Sequence, residues 1–89
     1  MTAPYRVPWL VERDSPSVIS LINCGDEVLT GVTFSLAGAG IMPIRAPVTV
    51  MKSGRVQVTV RGDDLPPSTL LIVRWLRQNG DDYLWRIAF

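Results

Sequence analysis

The chain contains no histidine and only one cysteine among its 89 residues. Without histidine, neither a Ser-His nor a Cys-His nucleophile pair can be built, and zinc sites made of cysteine and histidine are excluded. A single cysteine also excludes an intramolecular disulfide, so packing must hold the fold together. An interchain bridge through Cys24 remains conceivable, but its place between Asn23 and Gly25 is more simply explained by a turn.

Charge of one sign and long apolar runs are lacking as well. Nine Lys and Arg residues against eight Asp and Glu residues give a net charge of +1, and the basic residues are scattered. We therefore expect no nucleic-acid binding, which needs a basic cluster to neutralise phosphates. No apolar run reaches the length of a membrane span, and the first residues do not form a signal peptide. These absences predict a protein without a membrane span, located in the cytoplasm.

The composition is that of a globular protein. Hydrophobic residues make up 47% of the chain and charged residues 19%, which argues against disorder. A chain of this length suits one domain, so residues 1–89 are expected to form a single unit with one core.

Short segments with alternating apolar and polar residues dominate the chain, and none has convincing helical periodicity. The clearest covers residues 55–61, in which Val56, Val58 and Val60 alternate with polar side chains. About seven strands with frequent turns predict an all-β fold, an antiparallel immunoglobulin-like sandwich, with a small β-barrel as the alternative. The other predicted strands cover residues 9–12, 18–23, 31–36, 44–50 with an interruption at Pro47, and the two arms of a hairpin within residues 69–89.

The register of the C-terminal hairpin can be predicted from burial. A two-residue loop at Asn79-Gly80 would place Arg86 on the same face as core residues, and an unpaired buried charge is costly. A three-residue loop, with Gly80 in the left-handed conformation, makes one face wholly apolar, and we predict this register. The predicted pairs are Trp75 with Tyr83, Val73 with Trp85, and Leu71 with Ile87.

Three segments resemble the layout of bacterial immunoglobulin-like modules, which include the cell-adhesion-related domains of many surface proteins. They are residues 19–26 (ISLINCGD), 31–34 (GVTF) and 52–60 (KSGRVQVTV). The shared layout is a strand, an Asn-x-Gly-Asp turn, a valine-containing strand, and then a Ser-Gly turn that leads into an alternating strand. The resemblance implies an immunoglobulin-like sandwich rather than a particular function. Such modules mostly occur in tandem within secreted chains, whereas this sequence shows no export signal.

Nothing in the sequence predicts catalysis or a cofactor. The run Ala-Gly-Ala-Gly at residues 37–40 matches no phosphate-binding fingerprint, and the carboxylates lie largely in turns, where Asp bonds its own backbone. We therefore expect a protein that is not an enzyme and has no cofactor. One alternative is a calcium site, because an immunoglobulin-like layout would bring two acidic loops to the same end of the molecule. Its candidate ligands are Asp26, Glu27, Asp81 and Asp82.

The predicted hairpin register leaves an unusual outer face, half apolar and half basic. Exposed aliphatic residues beside arginine are a frequent interface composition, so we predict a partner-binding surface for a protein partner or a second copy. Three alternatives remain: residues 5–10 fold over this face, the domain is a passive spacer or decoration module, or aromatic side chains bind carbohydrate. The predicted partner-binding residues are Ile72, Arg74, Leu76, Leu84 and Arg86.

Overall fold

The computed structural model describes residues 5–38, 40–43, 45–62 and 69–89. These residues form seven strands, and no helix lies among them. In particular, the described ranges contain no helix long and apolar enough to cross a membrane. The strands are β1 (Trp9–Ser15), β2 (Val18–Asn23), β3 (Leu29–Ala37), β4 (Val48–Val50), β5 (Arg55–Thr59), β6 (Leu70–Leu76) and β7 (Asp82–Ala88).

Two antiparallel sheets make up the fold. One has the strand order β1-β2-β5 and the other the order β4-β3-β6-β7, and neither closes into a barrel. The predicted all-β antiparallel sandwich is confirmed, and the barrel alternative is wrong. Strand β1 lies at a sheet edge.

The core lies between the sheets, with side chains from every strand. Ile19 and Leu21 of β2 are almost completely buried, and so are Val58 and Val60, whereas Val56 is half-buried. Strand β2 has the predicted bounds, whereas β5 ends at Thr59. The core consists of Trp9, Ile19, Leu21, Leu29, Val32, Val50, Val58, Val60, Leu71, Val73, Trp75 and Ile87.

Strand β3 departs from the prediction at its start. It begins at Leu29, two residues earlier than expected, and its pairing register shifts between Leu29 and Val32 against β4 and between Thr30 and Thr33 against β6. Gly31 has a φ of 55° inside this bulge, a left-handed conformation that favours glycine. Because the bulge adds a residue, Leu29 and Val32 are both buried although strict alternation would separate them.

The chain between β3 and β5 forms less strand than predicted. Strand β4 comprises three residues directly after Pro47, and Ala46 is exposed. Proline cannot donate to a β-ladder, which limits the strand to the segment behind it. Ile44, part of the predicted strand, lies outside the described residues.

The C-terminal hairpin has the predicted register. Trp75 pairs with Tyr83, and Val73 pairs with Trp85. The loop comprises three residues: the Arg77 N–H donates to the Asp81 carbonyl at 2.8 Å, and Gly80 has a φ of 90°. Burial of the apolar face therefore did select the three-residue loop over the common Asn-Gly turn.

Candidate functional site

Alternation along β6 and β7 places the five predicted contact residues together. Leu71, Val73 and Trp75 point into the core, so their neighbours in β6 point to the opposite, outer face of the four-stranded sheet. The same parity holds in β7, where Ile87 is buried. The outer face of the hairpin carries Ile72, Arg74, Leu76, Leu84 and Arg86. We call this group the hairpin face.

The hairpin face is open to solvent. Leu84 is 55% exposed and Leu76 is 37% exposed, while Ile72 is half-buried. Residues 5–10 do not cover it: the Tyr5 hydroxyl accepts a hydrogen bond from Trp75 Nε1 at 3.0 Å, on the core side of the sheet. The alternative of a terminus folded over this face is therefore wrong for these residues.

The two arginines of the hairpin face differ in their partners. Arg74 Nε donates to both carboxylate oxygens of Asp82 at 3.0 Å, and its Nη2 also contacts Oδ2. Hydrogen bonding from Arg74 lowers the pKa of Asp82 and raises that of the guanidinium. In contrast, Arg86 is exposed and has no ion-pair partner among the described residues. The face therefore presents one neutralised and one free cation.

Sequence reasoning missed Asp82 as part of this surface. Asp82 begins β7 and lies diagonally across from Arg74, which is directly opposite Leu84. The predicted register already placed Asp82 on this face, because the three-residue loop gives Asp82 the same parity as Leu84 and Arg86. Neighbouring β3 adds Thr33 opposite Arg74 and Ser35 opposite Ile72, a polar border that depended on strand order.

A second concave region lies at the end of the sandwich, between residues 5–8, the β2–β3 turn and Arg77. It encloses about 530 Å³. Arg77 Nε donates to Glu27 Oε1 at 2.9 Å, and its guanidinium lies 4.0 Å from the centre of the Tyr5 ring. The hydrogen bond from Arg77 to Glu27 is the main reason that the pKa of Arg77 is raised. Arg77 and Glu27 are engaged with each other, so we assign this ion pair a structural role.

The carboxylates suggested as calcium ligands do not form a metal site in the described residues. The two loops do lie at the same end, since Arg77 of the hairpin contacts Glu27. However, Glu27 is bound by Arg77, Asp82 by Arg74, and Asp81 Oδ2 accepts from Asn79 at 3.2 Å. Over the described ranges, no group of three or more acidic or cysteine side chains is placed to hold a metal ion.

All seven aromatic residues lie in the described ranges, and none is an exposed platform. Trp9 and Trp75 are buried in edge-to-face contact with ring centres 5.9 Å apart, and Trp75 stacks on Tyr83. Trp85 is half-buried on the core side of β7. Packing therefore occupies the aromatic side chains that a carbohydrate site would need.

Comparisons with family models, curated proteins and solved structures return no match for this chain.

Proposed function

We propose that this protein is a non-enzymatic interaction module whose contact surface is the hairpin face. The observation that carries the proposal is the exposure of Leu76 and Leu84 beside the unpaired Arg86. Contiguous apolar side chains bordered by arginine are typical of protein interfaces. A partner with an apolar patch and a carboxylate would match this surface.

The strand order supports the immunoglobulin-like arrangement that the sequence resemblance implied. In constant-type immunoglobulin domains the first, second, fourth and fifth strands share one sheet, and the third, sixth and seventh strands share the other, so β4 of this chain departs from that arrangement. Strands β1, β2 and β5 form one sheet here, and β4 extends the other sheet beside β3. A bacterial source and a cytoplasmic location stay predictions.

The proposal is tested by removing apolar surface from β6. The double variant Ile72→Ser, Leu76→Ser should lose a partner that the wild-type protein retains from its native extract, because the buried apolar contact supplies much of the affinity. The matched control is Leu10→Ser, which removes a 52%-exposed leucine from β1 in the other sheet and should retain the partner.

The bound proteins are identified by quantitative mass spectrometry, after circular dichroism has shown that all variants are folded. Identical sets of bound proteins for the wild type and the β6 variant would contradict the proposal. That result would favour the alternative of a passive spacer or decoration domain. Release of the wild-type protein from its partner by added sugar would instead favour carbohydrate binding.

A further inference from the structure

Each sheet of the sandwich ends in two edge strands, and three of these four edges are protected. Strand β4 is only three residues long, and β1 has a register shift between Arg13 and Ser15. Beside β5, Arg45 Nη1 donates to the Gln57 carbonyl at 3.2 Å. Short strands, bulges and covering segments are the usual means by which proteins prevent edge-to-edge pairing.

Strand β7 is the least protected of the four, because its one covering contact lies at its last residue. It runs for seven residues, contains neither proline nor glycine, and pairs with β6 without any register shift. In the described part of the chain, only the Arg13 side chain reaches its outer edge, where Nη2 donates to the Ala88 carbonyl at 2.7 Å. The rest of the strand presents an open edge.

The direction of the backbone groups in β7 follows from the hairpin hydrogen bonds. The Arg77 N–H bonds the Asp81 carbonyl and the Phe89 N–H bonds the Thr69 carbonyl, so the odd-numbered residues of β7 face β6. The even-numbered residues therefore point their N–H and C=O groups outward. The bond from Arg13 to Ala88 agrees with this direction. Asp82, Leu84 and Arg86 are left with outward backbone groups that no hydrogen bond reaches among the described residues.

We propose that β7 pairs with β7 of a second copy in antiparallel orientation, with Leu84 opposite Leu84 across a two-fold axis. In this register Asp82 lies opposite Arg86 of the other copy, twice in the dimer. Opposite charges directly across a ladder are favourable. Arg86, which has no ion-pair partner among the described residues, gains a carboxylate that it shares with Arg74. A two-fold axis at Asp82 or at Arg86 would instead place like charges opposite one another.

The burial of the core side of β7 supports the same pairing. Tyr83 and Trp85 are only half-buried, although their partners Trp75 and Val73 are almost completely buried. In the proposed register Tyr83 lies opposite Trp85 of the second copy, so each ring gains a neighbour. Arg13 does not obstruct the pairing, because Ala88 lies beyond the paired residues.

This inference rests on the proposed contact role of the hairpin and names a second copy as the occupant of its β7 edge. Only five residues of each copy pair, so the interface belongs to the small and weak class. We expect a dissociation constant in roughly the micromolar to millimolar range. The dimer should be visible by analytical ultracentrifugation of the wild-type chain at concentrations up to about 1 mM.

Charge reversal tests the register. Asp82→Arg and Arg86→Asp each place like charges opposite one another, so each variant alone should dimerise about tenfold more weakly or worse. An equimolar mixture of the two should recover a heterodimer, because both opposed pairs become complementary. The matched controls Asp26→Arg and Lys52→Asp, at exposed turn positions, should self-associate like the wild type. A monomeric wild type, or a mixture no stronger than its components, would overturn the proposal.

A cross-linking variant covers the case in which Asp82→Arg fails to fold. In the proposed dimer the two Leu84 Cα atoms lie about 5.5 Å apart, within the range that a disulfide spans. Leu84→Cys in a Cys24→Ser background should therefore form an interchain disulfide under mild oxidation. Leu76→Cys in the same background, on the inner strand of the hairpin, should not. Equal cross-linking at the two positions would rule out the register.

The two proposals fail in different ways. The β6 variant Ile72→Ser, Leu76→Ser leaves the β7 edge intact, so it should lose the captured partner while its self-association stays unchanged. A monomeric wild type that still retains a partner through Ile72 and Leu76 would remove the dimer and leave the interaction role in place.

Discussion

Three arginine side chains of the C-terminal hairpin differ in the contacts that they make. Arg74 is neutralised by Asp82, Arg86 has no ion-pair partner among the described residues, and Arg77 connects three parts of the chain. Its guanidinium joins the β6–β7 hairpin to Glu27 of the β2–β3 turn and to Tyr5 near the N-terminus. A planar guanidinium can bond a carboxylate and stack on an aromatic ring at once, which an ammonium cannot do.

We predict a measurable coupling free energy between the Arg77 and Glu27 side chains. Arg77→Met should lower the free energy of unfolding, because a charge-assisted hydrogen bond and a cation–π contact are both lost. Arg77→Lys should be intermediate. Urea unfolding of both single variants and of the double variant with Glu27→Gln measures the coupling. Additive effects of the two substitutions would contradict the assigned contact.

The hairpin is the element whose geometry depends most on one residue. Gly80 adopts a φ of 90° in the three-residue loop, and an added Cβ would meet no atom within 4 Å. Backbone strain alone should therefore decide the effect of a substitution there. This differs from Gly31 in the β3 bulge, where a Cβ would also approach Leu76 Cδ1 to 3.2 Å.

We predict that Gly80→Ala lowers the free energy of unfolding by about 1–2 kcal/mol, the usual cost of a left-handed conformation for a residue with a Cβ. Gly80→Asn should cost less, because asparagine tolerates this conformation, and Gly80→Val should cost more. Urea unfolding at neutral pH gives the ranking. An asparagine variant no more stable than the valine variant would show that φ at this position is not limiting.

At the scale of the whole molecule, carboxylates on both sheets link stability to pH. Hydrogen bonds from the buried Ser20 hydroxyl and from Gln57 lower the pKa of Asp14, and Arg74 lowers that of Asp82. A carboxyl group whose pKa is lower in the folded than in the unfolded state stabilises the fold above the unfolded pKa, near 3.8. This contribution is lost as the pH falls through the lower, folded pKa.

We therefore predict that stability is nearly constant from neutral pH to about 5 and falls steeply below about 4. Asp14→Asn should lower stability at neutral pH and flatten the decline in acid, because one of the groups with a lowered pKa is gone. Urea midpoints at pH 7 and pH 3 measure both effects. The control Asp26→Asn, at an exposed turn position, should unfold like the wild type at both pH values. An unchanged acid profile for Asp14→Asn would contradict the assigned role of Asp14.

The sequence by itself determined the all-β class, the approximate number of strands and the register of the closing hairpin. Alternation in the valine strand around Val58 marks a buried face, and a slip of one residue in the hairpin would have buried Arg86. These features depend on neighbours along the chain or across one short loop. The outward direction of the hairpin face follows from the same parity.

Only the tertiary structure decided which strands are neighbours, and with them the surface. The bulge at Gly31, which buries Leu29, and the contact of Arg77 with Glu27 depend on elements far apart in the chain. The open edge of β7 is also a consequence of strand order, because a strand is an edge only if nothing pairs beyond it. Periodicity records which side of a strand is buried, but not which strand lies next to it.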